Sequence, residues 1–162
     1  MSAVNIPGSA RPLPGSPRSA RSRPALAGSR LDQGIRWELE TGAVDLNLGD
    51  VAGCVETGLS HMTLPPGAEG YPPHCHGAEE ELFVVLEGSG TVTLGDESAE
   101  VRRGSVVSRP AGTRVAHSFR AGDEGLAYLA YGTREPNDVV YYPRTDEIRF
   151  RGVGITITAG GR

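Results

Sequence analysis

The sequence predicts an all-β domain, a sandwich or barrel of short strands, on three observations. Short runs of alternating apolar residues recur from about residue 34 onward, punctuated by glycine, proline, Asn or Asp. No stretch of ten or more residues carries convincing helical spacing, and there is no internal repeat. The chain has 162 residues, of which 38% are hydrophobic, enough to build the core of one domain.

Two segments follow from composition: a tail over 1–33 and a β domain over 34–162. Residues 1–30 hold five of the twelve prolines, with much Ser, Gly and Ala, and cannot bury a core. A solvated, disordered tail is expected there. A basic arm for an acidic partner and an organelle transit peptide are the other readings, and the segment lacks the amphipathic helix that a transit peptide needs.

The expected strands run in order as IRWELE (35–40), VDLNLG (44–49), GCVETGLSHMTL (53–64), EELFVVLEG (80–88), GTVTLG (90–95), AEVRRG (99–104), SVVSRP (105–110), AHSFRA (116–121), GLAYLAYG (125–132), DVVYY (138–142), EIRFRG (147–152) and GITIT (154–158). GSG at 88–90 and GDES at 95–98 read as tight hairpin turns. EELFVVLE is apolar on both faces after Glu81, the pattern of a central strand buried on both sides.

Charge and composition exclude several functions. All 16 basic residues are arginine, which removes Schiff-base lysine chemistry and a Walker-type phosphate lysine. Residues 1–30 contribute +5 to a net charge of -4, leaving -9 on the rest, which argues against nucleic acid as a partner. No apolar run approaches the roughly 20 residues that cross a membrane, and no secretory signal pattern is present. Cys54 and Cys75 make no disulfide framework and read as reduced thiols of a cytoplasmic protein.

The chemistry concentrates in YPPHCHGAEEELFVVLEG (71–88). On a strand, residues i and i+2 share a face, so His74 and His76 project together and Cys75 points away as a small buried hydrophobe. Glu79, Glu80 and Glu81 are the carboxylates that could join them. A charge entering an apolar strand is costly unless paired or metal-bound, and Glu81 lies nearest the apolar run. Glu79 and Glu80 are expected in solvent at the strand mouth. Imidazoles with one carboxylate suit Fe(II), Mn(II), Ni(II), Co(II) or Zn(II). A fourth ligand from another strand is expected at His117, which follows a Pro-Gly turn and opens an apolar strand. His61, in LSHMTLPPG, is a candidate acid or base at the pocket wall. Phe83 and Val85 share Glu81's face as pocket wall or core. Tyr128 and Arg109 are further candidates to reach a substrate, the arginine by gripping a carboxylate or phosphate. Tyr141, Tyr142 and Arg144 take no role.

These residues resemble the two motifs of the cupin superfamily. The first is His74-Cys75-His76, four residues, Glu81, LFVVLE and Gly88; the second is Gly104, SVVSR, Pro110-Ala111-Gly112 and His117. The resemblance covers roughly residues 55–135, with the motif frames inside 70–121. It implies a single antiparallel jelly-roll β-barrel with a three-His, one-Glu metal site inside. Two features depart from the family. Four residues, TRVA, separate Gly112 from His117, more than is usual, and Ala121 stands where an asparagine is frequent. The segment YGTREPNDVVYYPRTDEIRFRGVG is similar to the close of small stand-alone bacterial cupins.

Such a site leaves coordination positions open on a six-coordinate metal. The resemblance therefore implies a small-molecule metalloenzyme. It acts either by Lewis-acid chemistry (isomerase, cyclase or lyase) or as an Fe(II) dioxygenase, with a ligand-binding or sensing module as the alternative. The family's habit of pairing through barrel edges implies a homodimer. The proline-rich tail is too short and broken for a helix-turn-helix domain.

Overall fold

Where the alternation is regular the chain forms strands, eleven among the described residues. The computed structural model describes Asp32 and residues 34–160. The tail expected over 1–33 lies outside the described residues, apart from Asp32. In chain order the strands are β1 (Ile35–Glu38), β2 (Val44–Asn47), β3 (Thr57–Leu64), β4 (Cys75–His76), β5 (Glu81–Leu94), β6 (Glu97–Arg102), β7 (Val106–Arg109), β8 (His117–Thr133), β9 (Val139–Tyr142), β10 (Glu147–Phe150) and β11 (Ile155–Thr158). Among the described residues there is no α-helix, hence none long and apolar enough to cross a membrane.

The strands form two antiparallel sheets. The larger has the order β1-β2-β3-β8-β5-β6, with β7 also pairing β5; the smaller has the order β11-β10-β9-β4. The large sheet turns one face inward. Met62 and Leu64 from β3, Phe83, Val85 and Val92 from β5, and Phe119, Leu126 and Tyr128 from β8 form one buried cluster. Its centre is aromatic: Phe83 and Phe119 lie 5.0 Å apart and Phe119 stacks on Tyr128 at 4.6 Å, the spacing at which ring pairs add to their area burial.

Three expectations change. GSG at 88–90 is not a hairpin turn. The runs 80–88 and 90–95 join as β5, and 116–121 and 125–132 join as β8. The register between them shifts at Val85/Glu87 and again at Gly88/Gly90. Glycine is required here for room rather than for a turn. A Cβ on Gly88, whose φ is 72°, would stand 2.1 Å from the Gly125 carbonyl oxygen, and one on Gly90 would stand 2.2 Å from that of Arg120. β5 is also not buried on both sides, since Leu82 is 39% exposed on its outer face beside Tyr131 at 45%. Residues 53–56 of the expected third strand lie in a turn before β3. The turn at 95–98 is a hairpin as expected, with Leu94 paired to Glu97 across Gly95-Asp96.

Candidate metal centre

Backbone pairing brings the histidines together before any side chain is considered. His74 forms an antiparallel bridge with His117, the first residue of β8. Directly opposed residues on such a pair present their side chains on one face, and the two rings lie 4.4 Å apart. β4 carries His76 to the same face, its ring 5.2 Å from that of His74. Glu81 opens β5 opposite Arg109 of β7. Its Oε2 lies 3.5 Å from His76 Nε2 and 3.2 Å from His117 Nε2. His74, His76 and Glu81 offer ligand atoms all within 4.8 Å of one another.

The longer loop before His117 has a structural account. Gly112 N donates to the His76 carbonyl at 3.0 Å. Arg109 Nη2 donates to the Val115 carbonyl at 2.6 Å and to Thr113 Oγ1 at 3.1 Å. The four residues TRVA are thus pinned from the β7 side, and His117 arrives among the other histidines.

Hydrogen bonding fixes which ring nitrogens face inward. His74 Nδ1 lies 2.7 Å from the Pro72 carbonyl, which only accepts, so Nδ1 carries the proton and Nε2 the lone pair. His76 Nδ1 lies 2.6 Å from Asp138 Oδ2. Burial works against ionisation of Asp138, but the bond to His76 and those from Ala78 N and Glu79 N hold its carboxyl below the ordinary range. It is an acceptor, so His76 Nδ1 carries a proton, and in the neutral ring Nε2 has the lone pair. Burial alone would lower His76, yet the bond to Asp138 and the charges of Glu81, Asp138 and Glu79 hold it above its ordinary value. Burial pushes the Glu81 carboxyl up, against the pull of His76. Burial and the neighbouring His74, His76 and Arg109 hold His117 well below its ordinary value, so this imidazole stays neutral.

His76 Nε2 and Glu81 Oε2 are buried and have no hydrogen-bond partner. With the ring neutral these are two acceptors facing each other, which is unfavourable unless a proton or a cation lies between them. Imidazole nitrogens around a carboxylate are a donor set that fits a divalent ion of the borderline type. A second cluster, His76, Glu79 and Asp138, also brings ligand-type atoms together. Its atoms are already engaged: Asp138 as above, and Glu79 by the Glu135 amide at 3.0 Å and by Arg151.

Other sites differ from the sequence expectations. Glu79 is not in solvent but 3% exposed, because Arg151 and the Glu135 amide compensate its charge. His61 does not line the site. Its register partners are Leu46 and Leu129, on the outer face of β3, whereas the neighbouring Met62 points into the core. Phe83 reaches the site, its ring 5.1 Å from His117. Val85 and Tyr128 instead fill the core behind it, and burial pushes the Tyr128 phenol up. Cys75 is buried between the two histidines and burial raises its thiol. The cleft at the site is lined by His76, Glu81, Arg109, Pro110, Val115 and His117, among others. Asp138 is the residue that sequence reading missed. The signal was present, a carboxylate immediately before the apolar run VVYY, the same feature that singled out Glu81.

Comparison with known proteins agrees with this geometry. A cupin-domain family model matches residues 60–131. A sugar phosphate isomerase of the cupin superfamily from Silicibacter pomeroyi superposes with a TM-score of 0.75 at 25% identity, covering 83% of this chain and 94% of that one. A proposed sugar phosphate isomerase from Acidithiobacillus ferrooxidans gives 0.70 at 31% identity, covering 80% and 88%. An uncharacterised protein of Streptomyces coelicolor is 44% identical over 57 residues, which span 35% of this chain and half the length of that protein. Two antiparallel sheets, both motif frames and a 31%-identical structure matched over most of its length leave one assignment: the chain belongs to the cupin superfamily and has its jelly-roll fold.

Proposed function

We propose that this chain is a divalent-metal-dependent enzyme that isomerises a small, oxygen-rich substrate of the sugar-phosphate class. His74, His76, Glu81 and His117 would hold the ion. The observation that carries the reading is the buried His76 Nε2 facing the buried Glu81 Oε2 at 3.5 Å, both without hydrogen-bond partners. A bound ion supplies Lewis-acid polarisation of substrate oxygens. The chain's residues do the rest. Phe83, packed on His117 and backed by Phe119, keeps water from the inner side. Arg109 lines the cleft beside Glu81 as a fixed positive charge. Substrate class and reaction type are supported by the names of the two similar structures. Pairing of two copies belongs to the same reading, supported by Leu82 and Tyr131, which are register partners and exposed on the outer face of the large sheet.

Elemental analysis of protein purified without chelator or metal-affinity steps, beside His76→Ala, is the first test. Aldose–ketose exchange on a panel of sugar phosphates, followed by NMR, is the second. Near-stoichiometric metal in the wild type alone, with exchange lost to chelator and restored by the ion, is expected. Stoichiometric iron with oxygen uptake and no exchange would move the chain to the oxygenases. No metal even after reconstitution would leave a ligand-binding module.

A further inference from the structure

We infer that Asp138 is the positioning residue of the metal centre, holding His76 as its Nδ1–H tautomer so that Nε2 is the atom offered to the ion. The inference rests on the reading of His76 as a ligand. Asp138 is fully buried, and its two oxygens divide their work. Oδ1 accepts from Ala78 N at 2.8 Å and from Glu79 N at 3.3 Å. Oδ2 takes the His76 ring nitrogen at 2.6 Å. The one competing carboxylate near that nitrogen, Glu79, stands off at 3.7 Å and is held by Arg151 and the Glu135 amide. Among the described residues Asp138 makes the short contact to Nδ1, so the carboxylate fixes both ring rotation and proton position. A group that orients a metal-binding imidazole in this way matters for affinity although it never touches the ion. Asp138 also lies beyond the stretch 60–131 that matches the family model. The segment after β8 therefore adds a control on the site from outside the shared core.

A purely structural role, capping the two amides of the turn at 77–79, would need only Oδ1. The isosteric Asp138→Asn separates the two. Its single oxygen is held by the two backbone amides, so its NH2 group faces the ring. An NH2 group donates, the ring must accept at Nδ1, and the proton moves to Nε2, where it blocks the ligand lone pair. Nitrogen-15 NMR of the metal-free protein, above the titration of His76 seen in the same spectra, reads the tautomer directly. The wild type should show Nδ1–H and Asp138→Asn should show Nε2–H. The dissociation constant for zinc should rise by about 10–100-fold in the variant. Nε2–H in the wild type overturns the inference, as does an Asp138→Asn protein with the wild-type tautomer and wild-type zinc affinity. The wild-type spectrum needs no variant to fold and no metal to bind. A correct tautomer in a protein that takes up no metal would sink the proposed function and leave the role of Asp138 standing.

Discussion

His74 and His117 exchange both of their backbone hydrogen bonds, His74 N to His117 O at 3.2 Å and His117 N to His74 O at 2.9 Å. The distance between these two candidate ligands is thus set by main-chain pairing, 43 positions apart in the chain, and not by side-chain packing. Removing one imidazole leaves that pairing in place. His76→Ala, Glu81→Ala and His117→Ala should therefore keep a β-rich circular dichroism spectrum. Each should lower metal affinity by about tenfold or more, measured by elemental analysis and competition with a chromophoric chelator. Full metal content in His117→Ala would show that the fourth ligand lies elsewhere.

His61→Ala should change neither metal content nor turnover, since His61 sits on the outer face of β3. Stability should move by no more than about 0.5 kcal/mol, as for a substitution that breaks no buried network. A large fall in turnover with unchanged metal would restore His61 as an acid or base.

Gly88→Ala should be among the most damaging single changes. The new methyl meets the Gly125 carbonyl at 2.1 Å, and the backbone is in the left-handed region. A loss of about 3 kcal/mol or more is expected in denaturant titration. Gly104→Ala is the control, with φ of 87° but nothing within 4 Å, and should cost about 1 kcal/mol. Equal losses would mean that conformation and not crowding governs the bend in β5.

Much of this was legible in advance. The His-x-His pair, Glu81 and His117 stand out because charge or imidazole sits beside an apolar run. Period-2 alternation located most strands. GSG misled because the same small residues that allow a tight turn also allow two strands to cross closely, and only the approach of Gly125 tells them apart. Glu79 misled because its compensating charge, Arg151, lies 72 residues away. Asp138 was missed although it precedes an apolar run as Glu81 does, because its partner His76 is 62 residues distant and no motif links the two. Long-range pairing of buried charges leaves no periodic trace in the sequence.

Arg109→Met should loosen the loop ahead of His117, because the guanidinium bonds to Thr113 and Val115 disappear. Trypsin should then cut faster after Arg114, which is exposed at the tip with φ of 59°. An unchanged cleavage rate would show that the Gly112–His76 bond suffices to hold the loop.

The pair formed by Glu69 and Arg144 predicts an acid response. Arg144 donates twice to Glu69 at 2.7 Å, and this bonding holds the Glu69 carboxyl below its ordinary value. Its stabilisation is fully present above the unfolded carboxyl's pKa and is lost as pH falls through the lower folded one. Arg144 is half exposed, so the effect is at most about 1 kcal/mol. Glu69→Gln should narrow the stability gap between neutral and acid pH in parallel denaturant titrations; an identical acid profile would show that the pair contributes nothing.

Residues that follow the cupin motif frames hold the clamp on the site. A ribosome completes all four candidate ligands before it reaches Asp138 or Arg151. A product cut short at residue 131 would carry the full cupin signature, yet His76 would lack its anchor and Glu79 its counter-charge. Both anchors come from beyond residue 131, so a well-ordered cage needs the segment that follows β8.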